Sequence, residues 1–218
     1  ASADDAVTRD AMAFYNAVFH NLECLGATSL GGGLYSYWPV DFSKPMDKAA
    51  DRARSIRNMR QLADLAADHG ITLCLESLNR FEGYLINTAA EGAAFVDEVG
   101  KDNVRLLLDT FHMNIEEDSF KSAILTAGNR LGRLHVGEAN RRLPGKGRLP
   151  WDAIGRTLAD IGFDGDVVME PFVKTGGQVG ADIKIWRELE EDTSVLRLDA
   201  DAKESLAFLK AAFARKGV

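Results

Sequence analysis

Leu73-Cys74-Leu75-Glu76, Val104-Arg105-Leu106-Leu107-Leu108-Asp109, Leu131-Gly132-Arg133-Leu134-His135 and Val167-Val168-Met169-Glu170 repeat one pattern, a short apolar run closed by a potential metal ligand. The closing residues are separated by 33, 26 and 35 positions, about the length of one strand-plus-helix unit. Short buried strands that each end in a polar residue, with a helix after each, describe parallel strands whose C-terminal ends converge on a site. A single carboxylate at a strand end is more often a helix cap or a loop charge, and a lone histidine on an apolar strand is more often a core residue. Four such residues in the same structural position are harder to dismiss. Two glutamates, an aspartate and a histidine form a hard, oxygen-rich set suited to Mn²⁺, Mg²⁺ or Co²⁺ rather than to structural zinc.

The rest of the chain supplies the crossovers. A helix is expected from Ser2 to Cys24, with Met12, Val18, Phe19 and Leu22 among its helically spaced apolar positions. The short run Ala27–Leu30 follows, then Gly31 to Gly33 and the aromatic loop Leu34-Tyr35-Ser36-Tyr37-Trp38-Pro39. A second amphipathic helix spans Met46 to His69 and is closed by Gly70. Thr88-Ala89-Ala90-Glu91 is a capping box for a helix ending at Gly100. Further helices are expected from near Ser119, from Trp151 to Ile161 and from Ala202 to Phe213, with a last strand near Ile183–Trp186. That alternation, about six strands and six helices, predicts a parallel sheet with helical crossovers in a single domain over residues 1–218. A closed (β/α)₈ barrel usually needs about 250 residues, so the pattern is that of a barrel lacking about two N-terminal β/α units, or else an open sheet.

The 218 residues carry a formal net charge of -7, which argues against nucleic acid or an anionic membrane as partner. No run of about 18 apolar residues suggests a membrane span, and the acidic opening Ala1-Ser2-Ala3-Asp4-Asp5 does not read as a signal peptide. Two cysteines, Cys24 and Cys74, fit a reduced, cytoplasmic protein with buried thiols.

The strings Leu75-Glu76-Ser77-Leu78-Asn79-Arg80-Phe81-Glu82, Leu108-Asp109-Thr110-Phe111-His112-Met113-Asn114, His135-Val136-Gly137-Glu138-Ala139-Asn140-Arg141 and Met169-Glu170-Pro171-Phe172 closely resemble those of the ketose 3-epimerases. The resemblance extends to Tyr35–Pro39 and Gly176–Arg187, hence to essentially the whole chain. It implies a xylose-isomerase-like TIM barrel, here N-terminally truncated to strands equivalent to β3–β8. It further implies one divalent ion, Mn²⁺ foremost with Co²⁺ or Mg²⁺ possible, held by Glu76, Asp109, His135 and Glu170. Glu82, His112 and Arg141 match positions that hold substrate hydroxyls, and Trp38 resembles an aromatic that walls the sugar pocket. A homodimer or tetramer is usual in the family.

The implied chemistry removes a proton beside a ketose carbonyl and returns it on the opposite face. That demands an electrophile for the enediolate and two acid/base groups on opposite sides of the sugar, for which Glu76 and Glu170 are the candidates. Some roles stay open at this stage. Glu82 could order the substrate or pair with Arg80 or Arg141, only register favours Arg141 over Arg142, and Trp38 could equally fill an interface. An aldose–ketose isomerase of the same superfamily is the nearest alternative, and a catalytically silent fragment is another. A trinuclear-zinc endonuclease would need more than the four histidines present.

Overall fold

The computed structural model describes residues 1–214. Helix α1 (Asp5–Cys24) leads to β1 (Ser29–Gly32), α2 (Lys48–Asp68), β2 (Thr72–Glu76), α3 (Ala89–Val99) and β3 (Val104–Asp109). There follow α4 (Thr110–Glu116), α5 (Phe120–Ala127), β4 (Leu131–Val136), α6 (Trp151–Asp160), β5 (Asp166–Met169), α7 (Gly177–Asp182) and α8 (Val195–Ala214). The strands form one parallel sheet in the order β1-β2-β3-β4-β5. Each crossover steps the same way, as in a barrel wall, whereas a doubly wound sheet reverses.

Two-residue periodicity sorts the side chains. Leu73 and Leu75, Leu106 and Leu108, and Leu134 and Val136 join the buried cluster under the helices. Burial of this kind stabilises by about 1.5–3 kcal/mol per large side chain. The intervening residues (Cys74 and Glu76, Leu107 and Asp109, Arg133 and His135) belong to the concave face. Gly31 makes room there, since a Cβ at that position would lie 2.8 Å from Leu107 Cδ1 and 2.9 Å from Arg133 Nη1. Register then aligns the strand ends: Asp109 lies opposite His135, and Met169, just before Glu170, lies opposite Val136.

The helix ends follow from local chemistry. Asp4, rather than Ser2, caps α1 by accepting from the Ala6 amide. Thr88 caps α3 through the Glu91 amide, while the Glu91 carboxylate reaches back to Asn87 N rather than to Thr88 N, so the expected box closes one residue early. Gly100 ends α3 in the left-handed conformation, at φ 66°, which glycine adopts at least cost.

Three expectations are corrected. The described residues contain five strands, not six, because Ile183–Trp186 is a turn after α7 rather than a strand. Ile183 N and Ile185 N bond back to Val179 O and Gly180 O, and Lys184 at φ 65° breaks any extended run. The helices number eight among these residues, because α4 and α7 coil within stretches expected to be loops, and α8 begins at Val195 rather than Ala202. Finally, Cys74 is buried as expected but Cys24 is exposed.

Candidate metal centre

The four strand-end residues converge. One donor atom from each of Glu76, Asp109, His135 and Glu170 can be chosen so that all lie within 4.8 Å of one another. An ion bonded at about 2.1 Å holds its donors no more than about 4.2 Å apart, so modest side-chain rotation completes the shell. His135 Nδ1 stands 3.4 Å from Glu76 Oε1 and 3.5 Å from Glu170 Oε1. Both His135 Nδ1 and Glu76 Oε1 are buried without a hydrogen-bond partner. Buried polar atoms are rarely left so, and a cation between them would satisfy both. The donor set therefore fits a hard divalent ion.

Three of the four candidate ligands are held from behind. Asp109 Oδ1 accepts from Phe111 N at 2.7 Å, so the same carboxylate caps α4. The Tyr35 hydroxyl donates to Glu76 O at 2.8 Å. Arg141, whose backbone is left-handed at φ 64°, donates from Nη1 to Asp109 Oδ2 and Glu170 Oε2, each at 3.0 Å. Its guanidinium lies 3.8 Å over the Phe111 ring and 5.0 Å from that of Phe172, a favourable placement for a desolvated cation. Arg142 turns away to the Leu189 carbonyl, so Arg141 is the arginine of the pair that reaches the cluster.

His112 is buried beside the cluster, its Nε2 3.9 Å from Glu76 Oε1 and 4.0 Å from Asp109 Oδ2. Asn79 N donates to its Nδ1 at 3.1 Å, which places the proton of the neutral ring on Nε2, facing the cleft. Glu82 accepts from Asn79 Nδ2 at 2.9 Å and lies 3.7 Å from Arg141 Nη2. Arg80 pairs instead with Glu116, so of the two arginines considered for Glu82 the structure selects Arg141. Trp38, 39% exposed, stands at the rim. Trp38, Glu82, His112 and Arg141 line a cleft of about 450 Å³ together with Glu76, Glu170, Gly31–Gly33 and Phe172. A second cleft of similar volume, between α1 and α2, is apolar and lies apart from the cluster.

Burial and neighbours set the charges. Burial pushes the Glu76 carboxyl up to about 7 despite His135. Burial acts upward on Glu170 too, but its contact with His135, together with Asp109 and Arg141, brings it down to about 2. Burial opposes the charged form of His135, and Glu170 and Glu76 overcome it, raising the ring to about 10. Burial raises Asp109 and pushes His112 down to about 4. The deeper glutamate is thus the one that holds a proton near neutrality, the shallower one stays ionised, and His112 is neutral.

Several functional neighbours had no assigned role in the sequence. Asn79 sets the His112 tautomer, and Phe111 and Phe172 clamp Arg141; all three lie inside the motif strings, but their roles depend on contacts between strands. Glu138, in the loop after β4, is 1% exposed and accepts from Gly145 N, Leu149 N and Trp151 Nε1. It staples the loop after β4 that carries Arg141. The acidic run at 188–192 is not wholly solvated either, since Glu190 lies 3.3 Å from Lys146 Nζ.

Known proteins place this geometry. The family model of the xylose isomerase-like TIM barrel matches residues 1–212. The chain is 55% identical to a D-psicose 3-epimerase of Agrobacterium fabrum over 95% of its own length and 72% of the relative's. It is 35% identical to an L-ribulose 3-epimerase of Mesorhizobium japonicum, over 95% and 68%. A crystal structure of D-psicose 3-epimerase with D-tagatose from Clostridium cellulolyticum superposes with a TM-score of 0.95 at 50% identity, covering 97% of this chain and 73% of the other. The chain spans about 72% of the length of such relatives, and it belongs to the ketose 3-epimerases of the xylose isomerase-like TIM-barrel family.

Proposed function

We propose that this chain epimerises free ketoses at C3, with Glu76 and Glu170 as the two proton-transfer groups. The observation that carries the reading is their placement. They end different strands, β2 and β5, and flank His135 at 3.4 and 3.5 Å, so a sugar bound across the cleft presents one face to each. Glu76, Asp109, His135 and Glu170 would hold a divalent ion, for which Mn²⁺ is the first choice and Co²⁺ or Mg²⁺ the others. When bound, that ion supplies Lewis-acid polarisation of the ketose carbonyl.

The chain's own groups do the rest. In one direction the ionised Glu170 removes the C3 proton, and the electron pair of the broken C–H bond moves to the carbonyl oxygen as an enediolate. The His112 Nε2–H and the Arg141 guanidinium face the oxygens on which charge develops. Glu76, reprotonated on its free carboxyl oxygen, then returns a proton to C3 from the opposite face, and the reverse epimer exchanges the two roles. Glu82 and Trp38 position the remaining hydroxyls and one face of the sugar. The relatives named above are 3-epimerases, which disfavours the aldose–ketose isomerase alternative. A homo-oligomer, dimer or tetramer, and a cytoplasmic location accompany this proposal. No helix among the described residues is long and apolar enough to cross a membrane.

Proton NMR of D-fructose and of D-psicose, incubated with the protein and Mn²⁺ in D₂O beside a chelated control, tests the reading. Deuterium at C3 together with the C3 epimer, lost on chelation, is expected. Label at C1 or C2 with aldose formation would replace it by an isomerase, and absence of exchange would refute it for this chain.

A further inference from the structure

A second cluster of donors lies at the other end of the sheet. His20, Glu23 and His69 each offer a donor atom within 4.8 Å of the others. His69 Nδ1 is 2.8 Å from Glu23 Oε2, the two imidazole rings meet edge to face with centroids 6.4 Å apart, and Cys24 Sγ lies 3.9 Å from His20 Nε2. Glu23 and Cys24 follow His20 by three and four residues on α1, so all three share one helix face. His69 is the residue that ends α2. Both helices finish just before β1 and β2 begin, so the cluster sits at the N-terminal ends of the strands, opposite Glu76 and its partners at their C-terminal ends.

We propose that His20, Glu23, Cys24 and His69 form a second metal site, selective for a borderline transition ion such as Zn²⁺ or Co²⁺. Three features support it. The donor chemistry is N₂OS, which prefers Zn²⁺ or Co²⁺ to Mg²⁺ or Mn²⁺, in contrast to the oxygen-rich set at the other end. The separations fit for His20, Glu23 and His69, whose donors lie within 4.8 Å of one another; Cys24 lies outside that trio, its Sγ 3.9 Å from His20 Nε2, and completes the shell by rotating towards it. The electrostatics also fit, because two helix C-termini, each the negative end of a macrodipole, converge there and neither helix has a basic residue in its last turn. The ion would clip α1 to α2. It plays no part in the epimerisation, and this site stands or falls independently of that activity.

Co²⁺ titration of the whole chain tests it, because a thiolate ligand gives a charge-transfer absorption that the oxygen-rich centre cannot produce. The wild-type protein should bind two Co²⁺ per chain and show the thiolate band. An H20A/C24A variant, altered at two exposed helix positions, should bind one, lose the band and keep its Mn²⁺-dependent turnover. His69→Ala, which retains Cys24, should also lose the band, and this separates a built site from an adduct on a lone thiol. Two bound ions without the band, falling to one in His69→Ala, would keep the site with His20, Glu23 and His69 as its ligands. A wild-type stoichiometry of one without the band, or a band that survives His69→Ala, would overturn it.

Discussion

The metal centre is built half on the middle of the sheet and half on its edge. Glu76 and Asp109 end β2 and β3, whose side chains are almost wholly buried, and Asp109 is 1% exposed. Glu170 follows β5, an edge strand with Val167 and Val168 at 40% and 39% exposure. The two glutamates of one site consequently start in different states: burial raises the Glu76 carboxyl, whereas at Glu170 burial is outweighed by His135, Asp109 and Arg141, which hold it ionised. Two identical residue types gain opposite starting states from the partners each one meets.

The largest effects should come from deleting a ligand at either place, and they should differ in kind. Asp109→Ala and Glu170→Ala are each expected to lower kcat at least about 10³-fold, because both remove a candidate ligand. Asp109→Ala should also cost about 3–5 kcal/mol in urea unfolding, since it strips buried Arg141 of a partner and α4 of its cap. Glu170→Ala should cost about 1 kcal/mol or less, because Arg141 keeps Asp109. Equal stability losses would erase the distinction between centre and edge.

Isosteric changes sharpen it further. Glu76→Gln and Glu170→Gln should each reduce epimerisation about 10³-fold, yet leave C3 exchange in D₂O from opposite epimers, each variant retaining the face its remaining glutamate serves. Identical exchange patterns would show that the two carboxyls do not act on separate faces. Away from the site, Leu106→Ala under α3 should cost about 2–5 kcal/mol, while Val168→Ala on β5 should cost less than about 1 kcal/mol, both read from denaturant midpoints.

Proton release follows from the same asymmetry. A bound metal requires His135 neutral and Glu76 ionised. His135 titrates near 10 and Glu76 near 7 in the metal-free protein. Calorimetry in buffers of differing ionisation enthalpy should therefore find about one proton released per ion at pH 8 and closer to two at pH 6. No pH dependence between those values would refute the high Glu76 value. The smallest effect is expected at the rim, where Trp38→Ala should raise KM several-fold with little change in kcat.

Much of this was legible in the sequence for a physical reason. Buried parallel strands must be short and apolar, and a polar residue that ends each one is conspicuous, so β2 to β5 and the four candidate ligands stood out together. Ile183–Trp186 misled because apolar residues that fill the mouth of a loop carry the same local pattern as a strand; only the backbone at Lys184 and the bonds back to α7 distinguish them. The tautomer of His112 was invisible because it rests on Asn79, 33 residues away along the chain and adjacent only once β2 and β3 pair. The inner and outer faces were likewise implicit, since alternation says that two faces exist but only the helices say which one is covered.

Arg141 has one more consequence. Arg141 donates to Asp109 and to Glu170 from one nitrogen and lies 3.7 Å from Glu82, so the protein itself offsets part of the negative charge gathered there. The arginine is a built-in counter-ion, so burying this acidic cluster does not require the divalent ion to be present. The proposed ion would then load into a chain that is already compact.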